Sequence, residues 1–332
     1  MIGAAVVGLG WWGKVLAREL TRSGRFHIRR LVDVRPEAAQ SVTEPAGAPF
    51  STRYGEALDD AQVDAIFLTT SHTEHDSQIA AAAQAYKHVF AEKPLSLTAA
   101  GARAYIAACH QAGVVLGVGH ERRWEPPMQE MLRSVRGGVL GRPLQIEANF
   151  SHDKFLALAP DNWRLSARQA PGAGMTATGI HLLDLAIAAL GPARTVVARC
   201  ATLASRFEGG DTISTLIEHA SGAHSTINVM LATPFISYFR VFGDQGWIEI
   251  RDKAHLEAPA GWQFSQSGKD GEVNTREFPV AAPVRDNLTA FADAIEHKSP
   301  YPITPAAMLH TIEALEAIFT SARDRTHVTL PN

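Results

Sequence analysis

Cysteine is almost absent from this chain: two in 332 residues, Cys109 and Cys200. Neither stands in a CxxC or metal-ligand spacing, which argues against a disulfide framework and a cysteine-held metal and fits a reducing cytoplasm. Long apolar runs are missing too, and none reaches the length that spans a bilayer. No signal peptide is expected ahead of a fold that begins at Ile2. Charge of one sign is not in excess: 31 Lys and Arg against 34 Asp and Glu give −3, so nothing suggests a nucleic-acid partner. There is no internal repeat and no low-complexity stretch. What remains is ordinary globular composition, 46% hydrophobic and 20% charged, in a chain long enough to predict two domains.

The most informative stretch is the first. An apolar run, Ala4-Ala5-Val6-Val7, reads as a buried strand and leads straight into Gly8-Leu9-Gly10-Trp11-Trp12-Gly13. Lys14 to Leu20 then has helical spacing. Strand, glycine turn and helix form a phosphate cradle: Gly8 for the tight turn, Gly10 for close approach of a pyrophosphate, Gly13 for helix–strand packing. The free N–H groups at the start of the helix face the anion. A second strand over 27–32 ends at Asp33, about 20 residues past the last glycine, where an acid can bind an adenosine ribose. A carboxylate there repels a 2′-phosphate, so NAD is favoured over NADP; Arg35 weakens that preference.

Strands then alternate with helices. A short helix starts at Pro36, strands cover 64–70, 88–91 and 114–118, and helices cover 74–86 and 98–111, with Thr98 as N-cap. This predicts a doubly wound parallel sheet over 1–122, with ligands beyond the carboxyl ends of its strands. Thr69, Thr70, His72, Glu92 and Lys93 stand at those ends, and His75 follows closely. The spacing of His72 and His75 is too weak to argue for a metal, and none is expected; both are read as loop polar groups near the cofactor. Lys93 precedes Pro94, which favours extended backbone and projects the lysine into the crevice.

Over 123–332 the pattern changes to period-two alternation, at 144–150, 195–201, 212–218, 223–230, 237–242 and 246–250. A large, open, mostly antiparallel sheet is expected, so the fold class is α/β in both halves. Helices are expected at 128–135, 177–190, 284–296 and 304–323, the last able to pack back on the first domain. The 177–190 helix follows Gly172-Ala173-Gly174 and puts Ala177, His181 and Asp184 on one face, where Asp184 could orient the imidazole. One sheet face lacks enough helices to cover it, which predicts a homodimer or homotetramer.

These residues resemble the glucose–fructose oxidoreductase, inositol dehydrogenase and MocA family of nicotinamide oxidoreductases. The resemblance covers essentially the whole chain. It rests on the glycine turn, Glu92-Lys93-Pro94, Gly119-His120-Glu121-Arg122-Arg123, Trp163-Arg164, Pro171-Gly172-Ala173-Gly174 and Ile180-His181-Leu182-Leu183-Asp184. It implies a Rossmann domain followed by an α/β oligomerisation domain. The implied reaction is hydride exchange between NAD(P) and a hydroxyl or ketone of a sugar or cyclitol. The family's lysine maps onto Lys93 and its histidine onto His181, with no membrane partner implied. One departure stands out: many members carry aspartate four residues before the histidine, and this chain has Ala177.

The chemistry assigns roles to the two matched residues. His181, near neutral pKa, takes the hydroxyl proton as hydride leaves. Lys93 stabilises the developing alkoxide. Arg122, Arg123, Trp163 and Arg164 are expected to line the substrate, or else to serve as salt-bridge and packing residues. Two other functions fit the same sequence: glycoside cleavage with transient use of NAD, and a non-catalytic NAD-binding regulator, for which Ala177 is the support.

Overall fold

The computed structural model describes residues 1–42, 47–255 and 257–331. It divides into two compact units, one of Met1–Glu121 with Ala282–Leu309, the other of Arg122–Ala281 with His310–Asn332. The first break falls where the sequence changes pattern. The return of Ala282–Leu309 corrects the simple split into 1–122 and 123–332, and its cause is packing described below.

The first unit carries β1 (Ile2–Val7), α1 (Trp11–Ser23), β2 (Phe26–Val32), β3 (Phe50–Ser51), α2 (Gly55–Asp59), β4 (Ala65–Leu68), α3 (His75–Gln84), β5 (His88–Ala91), α4 (Ala99–Gln111) and β6 (Leu116–Val118). The strands lie in the order β3-β2-β1-β4-β5-β6, all parallel. The chain order reverses on either side of β1, which opens a crevice at its carboxyl end. β1 and β4 are buried along their whole length, which is why they read as unbroken apolar runs rather than alternations. Thr98 caps α4 as expected, accepting from the Gly101 N–H at 3.1 Å. The helix expected at Pro36 is a single 3-10 stretch, Pro36–Ser41.

In the returning segment, α7 spans Pro283–Ile295. Arg285 on α7 donates to Glu19 of α1 at 2.8 Å. Phe291 packs edge-on against Phe67 and Phe90. Gly117 makes room for it: a Cβ there would come within 2.7 Å of the Phe291 ring. The apolar face of α7 therefore belongs to the core of the first sheet.

The second unit carries α5 (Pro126–Arg136), β7 (Pro143–Ser151), α6 (Gly179–Leu190), β8 (Ala193–Ala201), β9 (Thr212–His219), β10 (His224–Met230), β11 (Ile236–Gly243), β12 (Gly246–Asp252), β13 (Trp262–Gly268) and β14 (Val273–Phe278). The late helix α8 (Pro305–Asp324) starts in the first unit, and β15 (Val328–Thr329) ends the second. The sheet has nine strands in the order β14-β13-β12-β11-β7-β10-β9-β8-β15. Only β7 and β10 run parallel; every other neighbour pair is antiparallel. The hairpins β9–β10 and β11–β12 turn at Ser221-Gly222 and at Asp244-Gln245. α6 lies on the face formed by Ile146, Ala148, Ile227 and Val229, all fully or almost fully buried.

The strands β13 and β14 are not legible in the sequence. On β13 the serines Ser265 and Ser267 are buried, so the polar-out alternation is blurred; β14 is an exposed edge strand with only Phe278 half-buried.

Candidate functional site

The glycine turn is built as the sequence predicts. Gly8 has φ +91, a conformation that favours glycine, and a Cβ on it would sit 2.9 Å from the Thr69 carbonyl carbon. A Cβ on Gly13 would lie 2.0 Å from the Gly8 oxygen, so close approach of α1 to the turn requires that glycine. Gly10 differs: a Cβ there would meet no protein atom within 4 Å. The space over Gly10 is therefore open, at the start of a helix whose first N–H groups have no intrahelical acceptor. This fits a dinucleotide pyrophosphate, which needs close backbone approach and unspent N–H donors. Trp11 is half-exposed beside this opening, with its ring 5.4 Å from that of Trp12.

Asp33 lies at the end of β2 and accepts the Leu9 N–H at 2.7 Å, the Arg35 N–H at 2.9 Å and Arg35 Nε at 3.2 Å. Burial by itself raises its pKa, but the donations from Leu9 and then Arg35 outweigh that and hold it below the usual value. The carboxylate is thus ionised and tied to the glycine turn.

Several expected cofactor residues have partners within the protein. The Thr69 hydroxyl donates to the Gly8 and Val7 carbonyls, clamping β4 to the turn. The Thr70 hydroxyl donates to Gln78 Oε1 at 2.6 Å. His75 is fully buried, with Nδ1 3.1 Å from the Pro94 carbonyl. Burial pushes its pKa down to about 4, so it is a neutral ring fixing the loop after Lys93. His72 is buried beside it, ring centroids 6.4 Å apart. These bonds tie the loops after β4 and β5 to the glycine turn and to α3.

Glu92 and Lys93 follow β5. Glu92 is buried against Gly119, where a Cβ would lie 2.5 Å from both carboxyl oxygens. Burial, and then the charge of Glu121, push its pKa well above the carboxylate range; Lys93 and Trp12 pull the other way. Lys93 is half-buried, and its peptide bond to Pro94 is cis.

In the second unit, Arg122 is buried in an ion cluster. Nη2 donates to Asp252 at 2.7 Å, Nε lies 3.1 Å from Glu125, and Nη1 reaches Ser237 at 3.3 Å. Its guanidinium sits 5.3 Å over the Phe150 ring. Removing one partner of such a buried pair costs about 3–5 kcal/mol, which commits Arg122 to this cluster rather than to a substrate. Arg123 is similarly committed. Nε donates to Asp184 Oδ2 at 2.6 Å and Nη2 to Oδ1 at 2.7 Å, a two-armed grip on α6. The Thr311 hydroxyl adds a contact to Oδ1 at 3.4 Å.

His181 stands on the first turn of α6, almost fully buried, and its N–H donates to the Thr178 carbonyl at 3.2 Å. α6 begins at Gly179, so Ala177 lies in the turn before the helix rather than on the helical face the sequence suggested. Trp163 and Arg164 form a stacked pair, with the guanidinium 4.4 Å over the indole. Burial lowers the Arg164 pKa. Sequence reasoning missed His152 and His255, which meet beyond the end of β7 with ring centroids 5.2 Å apart. Alternation through Ile146, Ala148 and Phe150 would have put His152 on the same face. Among the described residues no group of three or more His, Cys, Asp or Glu is arranged to hold a metal, and no helix is long and apolar enough to cross a membrane.

Residues 2–120 match an oxidoreductase family with an NAD-binding Rossmann fold, and residues 128–249 match the GFO/IDH/MocA C-terminal domain. The chain belongs to the Gfo/Idh/MocA oxidoreductase family. A 1,5-anhydro-D-fructose reductase from Ensifer adhaerens is 31% identical over 182 residues, covering 52% of this chain and 54% of that protein. The chain thus spans about half the length of that relative. A D-xylose 1-dehydrogenase (NADP(+)) from Haloferax volcanii is 28% identical over 89% of this chain and 90% of its own length. Among solved structures, GenD2 from gentamicin A biosynthesis, in complex with NAD, superposes with TM-score 0.85 at 27% identity, covering 100% of this chain and 97% of that one.

Proposed function

We propose that this enzyme moves hydride between nicotinamide and a carbinol carbon of a sugar or cyclitol, and that it prefers NAD(H) to NADP(H). The sugar assignment draws on the named activities of its relatives. The cofactor preference is carried by one observation, the ionised Asp33 held against the Leu9 N–H at the edge of the open space over Gly10. A carboxylate there accepts ribose hydroxyls and repels a 2′-phosphate. Arg35, exposed beside it, is already engaged by that same carboxylate.

The bound nicotinamide supplies the hydride acceptor. This chain's residues manage the rest. His181 takes the hydroxyl proton in oxidation and returns it in reduction. The Lys93 ammonium donates to the substrate oxygen and stabilises the charge that develops on it. Trp163 and Arg164 offer an indole face and a guanidinium plane to the sugar ring, while Arg122 and Arg123 hold the frame of the second unit. Screening sugars, uronic acids and inositols for NADH appearance tests this reading. Absence of turnover across the whole panel, with NADH binding intact, would overturn it in favour of a non-catalytic role.

The enzyme also assembles as a homodimer or homotetramer on the open face of the nine-stranded sheet. Leu216 and Ile236 on that face are 48% and 39% exposed, and Tyr238, Phe242 and Trp247 are only partly covered. Apolar side chains across a broad sheet favour a partner surface. Light scattering that finds a monomer at micromolar concentration removes this proposal.

A further inference from the structure

β5 and β6 run side by side with Ala91 opposite Val118, so the residues that follow them, Glu92 and Gly119, come out abreast. The Gly119 N–H donates to the Ala91 carbonyl at 3.0 Å and carries that pairing one step past β6. The Glu92 carboxyl lies on Gly119, where a Cβ would come within 2.5 Å of both its oxygens. Glu121 follows two residues later. Glu92 is 7% exposed and Glu121 9%, so two acids are withdrawn from water at neighbouring strand ends. The end of β6 is fixed from the returning segment. Asn287 Nδ2 donates to the Val118 carbonyl at 3.0 Å, and the Tyr301 hydroxyl accepts the Val118 N–H at 3.2 Å. That hydroxyl lies 2.6 Å from Asn287 Oδ1.

The charges at these strand ends do not balance if both acids ionise. Lys93, half-buried, follows Glu92 directly, and it and the Trp12 indole favour the Glu92 carboxylate. Burial, and then the charge of Glu121, act more strongly the other way. Arg122, next in the chain after Glu121, is spent on Asp252 and Glu125. Among the described residues that follow β4, β5 and β6, the other buried titratable groups are His72, His75 and His120. His75 is a neutral ring with Nδ1 against the Pro94 carbonyl. Burial likewise opposes a charge on an imidazole. Two like charges drawn out of water repel strongly, and such a carboxyl pair keeps one proton through a wide range of pH.

We propose that Glu92 and Glu121 are a positioning pair that holds one proton in common and leaves a single negative charge for the Lys93 ammonium. With both acids ionised, the excess negative charge would oppose the charge that develops on a substrate oxygen held by Lys93. With both protonated, Lys93 would lose the charge that favours its ammonium form. One proton between two acids avoids both states. The catalytic consequence rests on the reading of Lys93 as the residue that stabilises the substrate oxygen; the shared proton itself does not.

Infrared difference spectra of the enzyme without substrate or dinucleotide test the pair directly, because a protonated carboxylic acid and a carboxylate absorb at different frequencies. Ordinary side-chain carboxyls are already ionised at about pH 6, so spectra from about pH 6 to about pH 10 isolate this site. Wild type should show one protonated carboxyl at about pH 7 that ionises as pH rises. Glu92→Gln should lose that band at about pH 7, since a solitary Glu121 can ionise against Lys93. Glu121→Gln should keep a band that ionises about one pH unit or more below wild type, because the like charge is gone. In both variants the alkaline limb of kcat should move to lower pH, since a second negative charge no longer forms to retain the Lys93 proton. No protonated carboxyl in wild type at about pH 7 would overturn the proposal and place the balancing proton on His120. A band whose titration Glu121→Gln leaves unmoved would overturn it too, making Glu92 a solitary buried acid. If Glu121→Gln fails to fold, Glu121→Asp, which keeps the charge on a shorter arm, should shift the same titration; an unmoved one overturns the proposal. An enzyme inactive on every sugar and polyol would overturn the proposed reaction, while the infrared titration still decides the pair.

Discussion

The Leu9 N–H points at Asp33 Oδ2, 2.7 Å away, so the acid that ends β2 is bonded to the middle of the glycine turn. One residue thereby shapes the phosphate cradle and presents a negative charge where a ribose would lie.

Replacing it should show both effects. Asp33→Ser should narrow the gap between NADH and NADPH affinity by about 1–2 kcal/mol, the size of a lost charged-group contact. NADH affinity itself should fall, because the turn loses its anchor. Fluorescence titration with both dinucleotides reads this directly. NADPH binding as tightly as NADH in the unmodified enzyme would show that Arg35 outweighs Asp33.

Gly10 and Gly13 should separate binding from folding. Gly10→Ala adds a Cβ into open space, so unfolding free energy should stay within about 0.5 kcal/mol of wild type. Its NADH affinity should nevertheless drop, since the methyl occupies the approach to the turn. Gly13→Ala forces a Cβ to 2.0 Å from the Gly8 oxygen and should destabilise the fold by about 1–3 kcal/mol. Denaturant melts with NADH titrations check both. A Gly10→Ala variant with normal NADH affinity would refute the placement of the pyrophosphate.

Lys93→Met and His181→Ala should each lower kcat by roughly 10²–10⁴, the scale of a lost acid/base or charge-stabilising group. Dinucleotide affinity should change little, because neither is assigned to the pyrophosphate or adenosine ribose. Normal turnover in His181→Ala would move the proton-transfer role to Lys93.

The buried His75 should make the first unit acid-sensitive. Its folded pKa, about 4, lies below the ordinary 6.5, so the unfolded chain takes up the proton first as pH falls. The stability held by the neutral ring is complete above about pH 6.5 and is lost as pH falls toward 4, up to roughly 3 kcal/mol in all. His75→Gln keeps an amide donor for the Pro94 carbonyl but does not titrate. Urea unfolding at about pH 7 and about pH 4.5 should show a smaller pH difference in this variant. An identical difference in both proteins would assign the acid sensitivity elsewhere.

The sequence by itself determined the elements whose signal is local. Gly8 and Gly13 mark positions of the turn that have no room for a Cβ, and the parallel strands are marked by runs of apolar residues that only a sheet covered on both faces can bury. Asp33 was legible because its distance from the turn is fixed by one helix and one strand. What the sequence left open depended on partners distant along the chain. Arg123 reads as a candidate substrate contact until Asp184, on another helix, takes both arms of its guanidinium. Arg122 becomes a frame residue only because Asp252 returns from β12 to meet it. The 3-10 turn at Pro36, the blurred strands β13 and β14, and the return of α7 to the first sheet were likewise decided by tertiary packing. So was the packing of His152, a single histidine in the sequence, whose ring meets Phe155 and His255 just beyond the end of β7.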